Sequence, residues 1–184
     1  MSRKFKNIIL TLAILSFLIA IWFIFFHHRT EIVVIPIAAG ATRSMAITAD
    51  GNLWAWGANS RGQIAHDLEE SIISPVQIME NVAAVSVGGD VTMAVRNDGQ
   101  LWGWGRNFRG QLSTRFGTSS MTEEHTPPKR MLRNVSSVST GSGYVVAVRR
   151  NGSLYGWGNN DPQVLFHSGG DFITQPRRIS RVKI

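Results

Sequence analysis

The sequence predicts an all-β fold, a partial, three-bladed β-propeller, preceded by one N-terminal transmembrane α-helix. Two observations carry this expectation. A hairpin motif occurs three times in register, as Asp50–Gly57, Asp98–Gly105 and Asn151–Gly158, and an apolar run, Ile8–Phe26, stands before the first copy. Composition agrees: the 184 residues are 43% hydrophobic and 17% charged with 18 glycines, which excludes a disordered chain. The absence of cysteine removes disulfide frameworks, Cys-based zinc sites, iron–sulfur clusters and thiol nucleophiles together.

Residues 1–7 form a short basic tail carrying Arg3, Lys4 and Lys6. Residues 8–26 contain only Thr11 and Ser16 as polar interruptions. At the rise of an α-helix this run spans about 28 Å, close to the hydrocarbon thickness of a bilayer. It ends Trp22-Phe23-Ile24-Phe25-Phe26, bulky to the last position, so an uncleaved signal anchor is expected ahead of a cleaved signal peptide or a buried core helix. Basic residues normally stay cytoplasmic, which places the N-terminus inside and the repeats outside a single-pass cell-membrane protein. Residues 27–31 are a juxtamembrane linker. Its His27 and His28 are read as interface-level polar residues, because adjacent side chains rarely converge on one metal ion.

Residues 32–184 divide into three units, about 32–79, 82–131 and 135–179. Their turn glycines, Gly51, Gly99 and Gly152, are 48 and 53 residues apart, and Gly40, Gly88 and Gly141 precede them by eleven. Each unit reads as four short strands. "MAIT", "MAVR" and "VAVR" are strand-like runs, and the Asp-Gly or Asn-Gly pairs after them favour a type I′ hairpin, which needs positive φ at both central residues. Trp54 with Trp56, Trp102 with Trp104, and Tyr155 with Trp157 are two residues apart and therefore share one sheet face. Pro75, Pro128 and Pro176 open the closing segment of each unit.

The pattern G-x-x-x-x-x-A-(V/I)-x-x-(D/N)-G-x-L-(W/Y)-x-W-G resembles the regulator of chromosome condensation (RCC1-type) repeat. The resemblance covers about residues 32–184 and rests on Gly51, Trp56, Gly57, Gly99, Trp104, Gly105, Gly152, Trp157 and Gly158 as structural signature residues. It implies blades of a propeller that is seven-bladed in the family, and a role in presenting loop rims to other proteins. Similar proteins include an exchange factor for a small GTPase and a secreted propeller inhibitor of β-lactamase; an extracytoplasmic location disfavours the GTPase role. Two departures stand out. Where the family often has His-(Ser/Thr), this chain has Arg43-Ser44, Val91-Thr92 and Tyr144-Val145. The Asn-x-x-Gly-Gln-Leu segment, intact at Asn59–Ile64 and Asn107–Leu112, decays to "NNDPQVL" in the third unit. Pro162 is read there in the place of Gly62 and Gly110, so that loop is expected to lose their positive-φ geometry.

Three blades are too few to close a ring, and repeat arrays need their ends covered. The expectation is either assembly with another propeller fragment or with further copies, including a six-bladed ring of two chains joined head to tail, or a marginal remnant.

No catalytic constellation is legible: phosphate-binding loop, G-x-S-x-G, H-E-x-x-H and EF-hand patterns are all missing. The five histidines lack metal-ligand spacing, and Glu69-Glu70 and Glu123-Glu124 read as solubilising loop residues. No enzyme activity, metal or cofactor is expected. The Trp pairs are read as packing between blades, the alternative being an aromatic platform for sugars or a partner at an exposed end of the arc, and Asn59, Gln63, Asn107 and Gln111 as turn-forming, buried hydrogen-bonding residues. The sequons at Asn134 and Asn151 carry no weight, the second being explained by its turn.

Loops held by a rigid frame are the better functional candidates. Phe108, Arg109, Arg115 and Phe116 flank or lie in the longest loop, Ser113–Thr126, and Phe166 and Phe172 lie in its counterpart in the third unit, Phe166–Thr174; Arg and Phe are common interface anchors. The expected function is a non-catalytic, membrane-anchored protein-binding or scaffolding module. The alternatives are a degenerate fragment or a surface binder of anionic polymers through Lys129, Arg130, Arg133, Arg177, Arg178 and Arg181. A protein partner and a homo-oligomer are expected partners besides the membrane; nucleic acid is not. The net charge of +7 resolves into +4 over residues 1–30, −4 over 31–127 and +7 over 128–184, so the basic excess beyond the membrane gathers toward the C-terminus.

Overall fold

The computed structural model describes Ser16 and residues 36–65, 67–112, 125–166 and 170–181. The expected basic tail, the span apart from Ser16, the linker, and Arg115 with Phe116 lie outside these residues. Among the described residues no helix is long and apolar enough to cross a membrane.

Residues 37–181 build three four-stranded antiparallel sheets, each from one unit. The first blade is β1 (Ile37–Ala39), β2 (Arg43–Ile47), β3 (Leu53–Ala58) and β4 (Ser71–Met79). The second is β5 (Val82–Gly88), β6 (Val91–Arg96), β7 (Leu101–Arg106) and β8 (His125–Leu132). The third is β9 (Val135–Thr140), β10 (Tyr144–Arg149), β11 (Ser153–Asn159) and β12 (Phe172–Arg181). Strand order follows chain order in every sheet, and β1, β5 and β9 lie side by side along the inner edge.

Turn chemistry explains this regularity. Gly51, Gly99 and Gly152 sit at left-handed φ of 84, 78 and 78, but Asp50, Asp98 and Asn151 before them do not, so the hairpins are not the expected type I′. Each glycine N–H closes a turn onto the carbonyl three residues back, at Thr48, Arg96 or Arg149, and the glycine takes the left-handed place that follows such a turn. Asn81 and Asn134, at φ 59 and 58, turn the outermost strand of one blade into the innermost strand of the next, and Asn tolerates that conformation.

The register is the same three times. Ser44 pairs Trp56, Thr92 pairs Trp104, and Val145 pairs Trp157. On the other side each of these tryptophans lies within a bulge: the pairing with β4 slips between Ala55 and Gly57, with β8 between Gly103 and Gly105, and with β12 between Gly156 and Gly158. The glycine after each tryptophan has φ of 114, 103 or 101, and a Cβ there would collide with the main chain of Thr42–Arg43, Asp90 or Gly143. That is why Gly57, Gly105 and Gly158 recur.

Burial alternates along the strands, and the core lies between blades. One cluster joins Met45, Ile47, Leu53, Ala55 and Ile64 of the first blade to Ala94 and Trp104 of the second. The other joins Met93, Val95, Leu101 and Leu112 of the second to Val145, Ala147 and Trp157 of the third.

Blade-to-blade latches and the loop-end groove

Each interior tryptophan reaches into the preceding blade. The Trp104 indole Nε1 donates to the Ile64 carbonyl and the Trp157 Nε1 to the Gln111 carbonyl, both at 2.8 Å, and both rings are fully buried. The Thr92 hydroxyl adds a bond to the Gln63 carbonyl at 2.6 Å. These contacts fix the loop after the third strand of each blade, and that loop is organised by one asparagine. Asn59 Oδ1 accepts from Ile64 and Ala65 N–H, while its amide donates to the Ala65 and Glu69 carbonyls. Asn160 Oδ1 accepts from Leu165 and Phe166 N–H, and its amide donates to the Phe166 and Gly170 carbonyls. Asn107 accepts from Leu112 N–H. The expectation that Asn59 and Asn107 are buried hydrogen-bonding residues holds, with Gln63 and Gln111 buried beside them.

The third loop corrects one expectation. Counted from its tryptophan, Asn160 is the organising asparagine, so Gln163, and not Pro162, occupies the place of Gly62 and Gly110. Gln163 has φ 62, against 61 and 71 for the two glycines. The loop keeps the positive-φ geometry and places a side chain in it. Neither Asn160 nor Gln163 stands out from composition, but the spacing from Trp157 to Asn160 repeats that from Trp56 to Asn59.

A second latch was not anticipated. Arg43, only 3% exposed, donates from its two terminal nitrogens to the carbonyls of Gly89 and Val91 in the second blade, each at 2.7 Å. Burial pulls its guanidinium down to about 10, a shift that Asp90 opposes. The sequence signal was present, since Arg43 departs from the family pattern at a strand start.

Of the candidate partner-binding residues, the structure brings Phe108 and Arg109 to a groove between the second and third blades, at the loop end. The groove, about 210 Å³, is lined by Gly88, Asp90, Arg106, Phe108, Arg109 and Gly143 among others. Arg106 lies over the Phe108 ring at 4.9 Å and pairs with Asp90 at 3.5 Å. Phe108 itself is 46% exposed. Phe166 is half-buried under Arg177, 4.6 Å from its ring, and Phe172 is exposed at the start of β12. The candidate anionic-polymer contacts fall on the outer strands and their ends. Arg130, Arg133, Arg177 and Arg178 are exposed, and Lys129 is half-buried. Arg181 ends β12, its side chain outside the described residues. Among the described residues, no group of three or more His, Asp or Glu side chains could hold a metal ion.

Comparison with known proteins agrees with this architecture. Family models of the regulator of chromosome condensation (RCC1) repeat match residues 34–63 and 82–111, and residues 50–95 and 98–148. Human E3 ubiquitin-protein ligase HERC2 is 32% identical over 149 residues, covering 78% of this chain and 3% of the ligase. The Xenopus laevis RCC2 homolog is 31% identical over 156 residues, covering 82% of this chain and 30% of that protein. This chain therefore spans less than a third of either relative. Among solved structures, Prp20p from Saccharomyces cerevisiae superposes with a TM-score of 0.68 at 24% identity, over 79% of this chain and 38% of that one. Human WBSCR16 gives 0.65 at 21% identity, over 78% and 37%. With the blade register, the tryptophan latches and the family match in agreement, this chain belongs to the regulator of chromosome condensation (RCC1) repeat family.

Proposed function

We propose that this chain is a non-catalytic, membrane-anchored binding or scaffolding protein that presents the loop ends of its blades to a protein partner outside the membrane. The observation that carries this reading is Phe108. It is a large aromatic side chain left 46% exposed at the mouth of a groove, supported from beneath by Arg106. An exposed ring beside arginines on a rigid frame is the composition of an interface anchor. Relatives support a binding role by analogy: Prp20p is described by its binding to Gsp1p and histones. The anchor and its orientation rest on Ile8–Phe26 and the basic residues before it.

A photocrosslinking residue placed at Phe108, in the full chain in its native membrane, should yield a discrete adduct. The same residue at Asn52, at the opposite end of the first blade, should not. Equal or absent labelling at both sites would reject the loop-end reading. Protease protection of the C-terminal repeats in intact cells, with digestion only after lysis, would reject the extracytoplasmic placement.

A second reading is favoured by one observation: β8 and β12 are the outermost strands of neighbouring blades, and exposed Arg130, Arg177 and Arg178 lie on them. Binding of a polyanion through this perimeter should weaken steeply with salt, as counterion release requires.

A further inference from the structure

The two blade junctions are built alike but filled differently at the loop end. At the first, Arg43 reaches across and bonds through its guanidinium to the carbonyls of Gly89 and Val91. At the second, Val91 stands in the place of Arg43. It has no donor for the carbonyls of Ser142 and Tyr144, which correspond to those that Arg43 binds. The space beside Ser142 stays open as the groove of about 210 Å³. The loops above the two junctions differ in the opposite sense, since Ala58 and Ser60 of the first blade are matched by Arg106 and Phe108 in the second.

One cation in this groove is uncommitted. Asp90 is paired with Arg106 at 3.5 Å, and Arg106 also covers one face of Phe108. Arg109 is exposed, and among the described residues its guanidinium has no ion-pair partner. Its stem is held nonetheless. The Arg109 Cδ lies against Gly143 of the third blade, at φ 110, where a Cβ would collide with it. The Arg109 N–H donates to Gln111 Oε1 at 2.7 Å, which fixes the loop beneath the side chain. A long side chain ordered in advance gives up less entropy on binding. Two arginines against one aspartate leave the groove positive. Its volume lies below the roughly 300–1,000 Å³ of small-molecule pockets, so it suits a side chain better than a cofactor.

We infer that this groove receives an acidic side chain, Asp or Glu, from a peptide segment of the protein partner. Arg109 takes the carboxylate in the two-pronged geometry that a guanidinium offers, and the exposed face of Phe108 packs the apolar residue next to it. The inference rests on the loop-end binding role proposed above and names the chemistry of the segment bound there. Charge selects the occupant. A cationic side chain would meet Arg106 and Arg109, and a neutral one would leave Arg109 uncompensated. A phosphate, at about −1.5 to −2, would exceed the single positive charge that Asp90 leaves in the groove. A carboxylate balances it.

The test places a photocrosslinking residue at Ser142, exposed on the third-blade wall of the groove, in the full chain in its native membrane. A discrete adduct whose crosslinked peptide contains Asp or Glu is expected. Arg109→Glu should cut its yield about tenfold or more, since like charges set against each other across an interface repel. Arg109→Met, which keeps the stem over Gly143 and drops the charge, should lower the yield too and guards against a folding loss. Arg61 holds the same place in the first blade, exposed, with its N–H on Gln63 Oε1 at 2.7 Å, so Arg61→Glu should leave the yield unchanged. Exchanging the partner's acidic residue for Arg should restore the adduct in Arg109→Glu. An adduct at Phe108 with none at Ser142, or one at Ser142 that survives Arg109→Glu, overturns this inference and leaves the loop-end reading standing. No adduct at either place rejects both. Equal loss in Arg61→Glu marks a general charge effect and overturns the inference. An adduct abolished by phosphatase or nuclease also overturns it, in favour of a phosphopeptide or a nucleic acid.

Discussion

The indole of Trp157, in the third blade, donates to the main-chain oxygen of Gln111, in the second, at 2.8 Å. Trp104 repeats the relationship one blade earlier, onto Ile64. A ring that fills the gap between two sheets and also caps a carbonyl explains why tryptophan recurs at this position where Phe or Leu could fill similar space. Removing the ring and removing the bond are separable. Trp104→Ala should cost about 3–5 kcal/mol, the range for deleting a buried aromatic side chain. Trp104→Phe keeps most of the packing and leaves the Ile64 carbonyl unpaired, at about 1–3 kcal/mol. Urea unfolding of both variants checks the order.

Gln163 holds φ 62 where the other two loops have glycine. A left-handed backbone costs a residue with a Cβ about 1–2 kcal/mol, and the extra unfolded-state freedom of glycine returns about half of that. Gln163→Gly should therefore stabilise the protein by about 0.5–1 kcal/mol, while Gly62→Ala should destabilise it by about 1 kcal/mol. Parallel denaturation curves test the pair; a destabilised Gln163→Gly variant would contradict the strain argument.

The recurring residues were legible in the sequence because each serves a local need that repeats with the blade. Gly51 and Gly99 make turns, Gly57 and Gly105 let the neighbouring main chain approach, and Trp104 and Trp157 fill the gaps between blades. What escaped was what differs between blades. Two asparagines stand side by side in the third unit, and counting from Asn159 puts Pro162 opposite Gly62 and Gly110, one residue short of the true equivalent, Gln163. Arg43 read as a mere departure from the family pattern, since its value lies in carbonyls 46 and 48 residues away. The half-buried state of Trp56 could not be read from its motif, which differs from that of buried Trp104 only at Asn52 against Gln100 and Ala55 against Gly103. Exposure there depends on the neighbour and not on the blade.

The hairpin turn of the first blade makes a pH-dependent prediction. The Asp50 carboxylate accepts the Thr48 hydroxyl at 2.5 Å and the Asn52 side-chain amide at 2.8 Å, and these bonds hold it below its ordinary value of 3.8. A carboxyl whose folded value is depressed contributes stability that is present above the unfolded value and lost as pH falls through the folded one. NMR titration should find Asp50 ionising below 3.8, with the midpoint returning upward in Thr48→Ala. An unchanged midpoint in that variant would remove Thr48 as the cause.

Arg43 sets two effects against each other. Its guanidinium satisfies the carbonyls of Gly89 and Val91, yet bringing it out of water between two blades lowers its proton affinity to about 10. Arg43→Ala removes both donors and leaves a void, so a loss of about 2–4 kcal/mol is expected. Arg43→Met fills the volume without the charge and should lose less, because replacing a buried ion by an apolar residue is often close to neutral. The proton balance separates desolvation from bonding. Between the depressed folded value and the ordinary one, the unfolded chain binds more protons than the folded chain, so the arginine's contribution to stability rises with pH above about 10. The stability difference between the native chain and Arg43→Met, measured at pH 8 and again near the alkaline limit of reversible unfolding, should therefore move in favour of the native chain. A difference that stays constant would show that the latch, and not the burial of its charge, dominates the energetics of this blade junction.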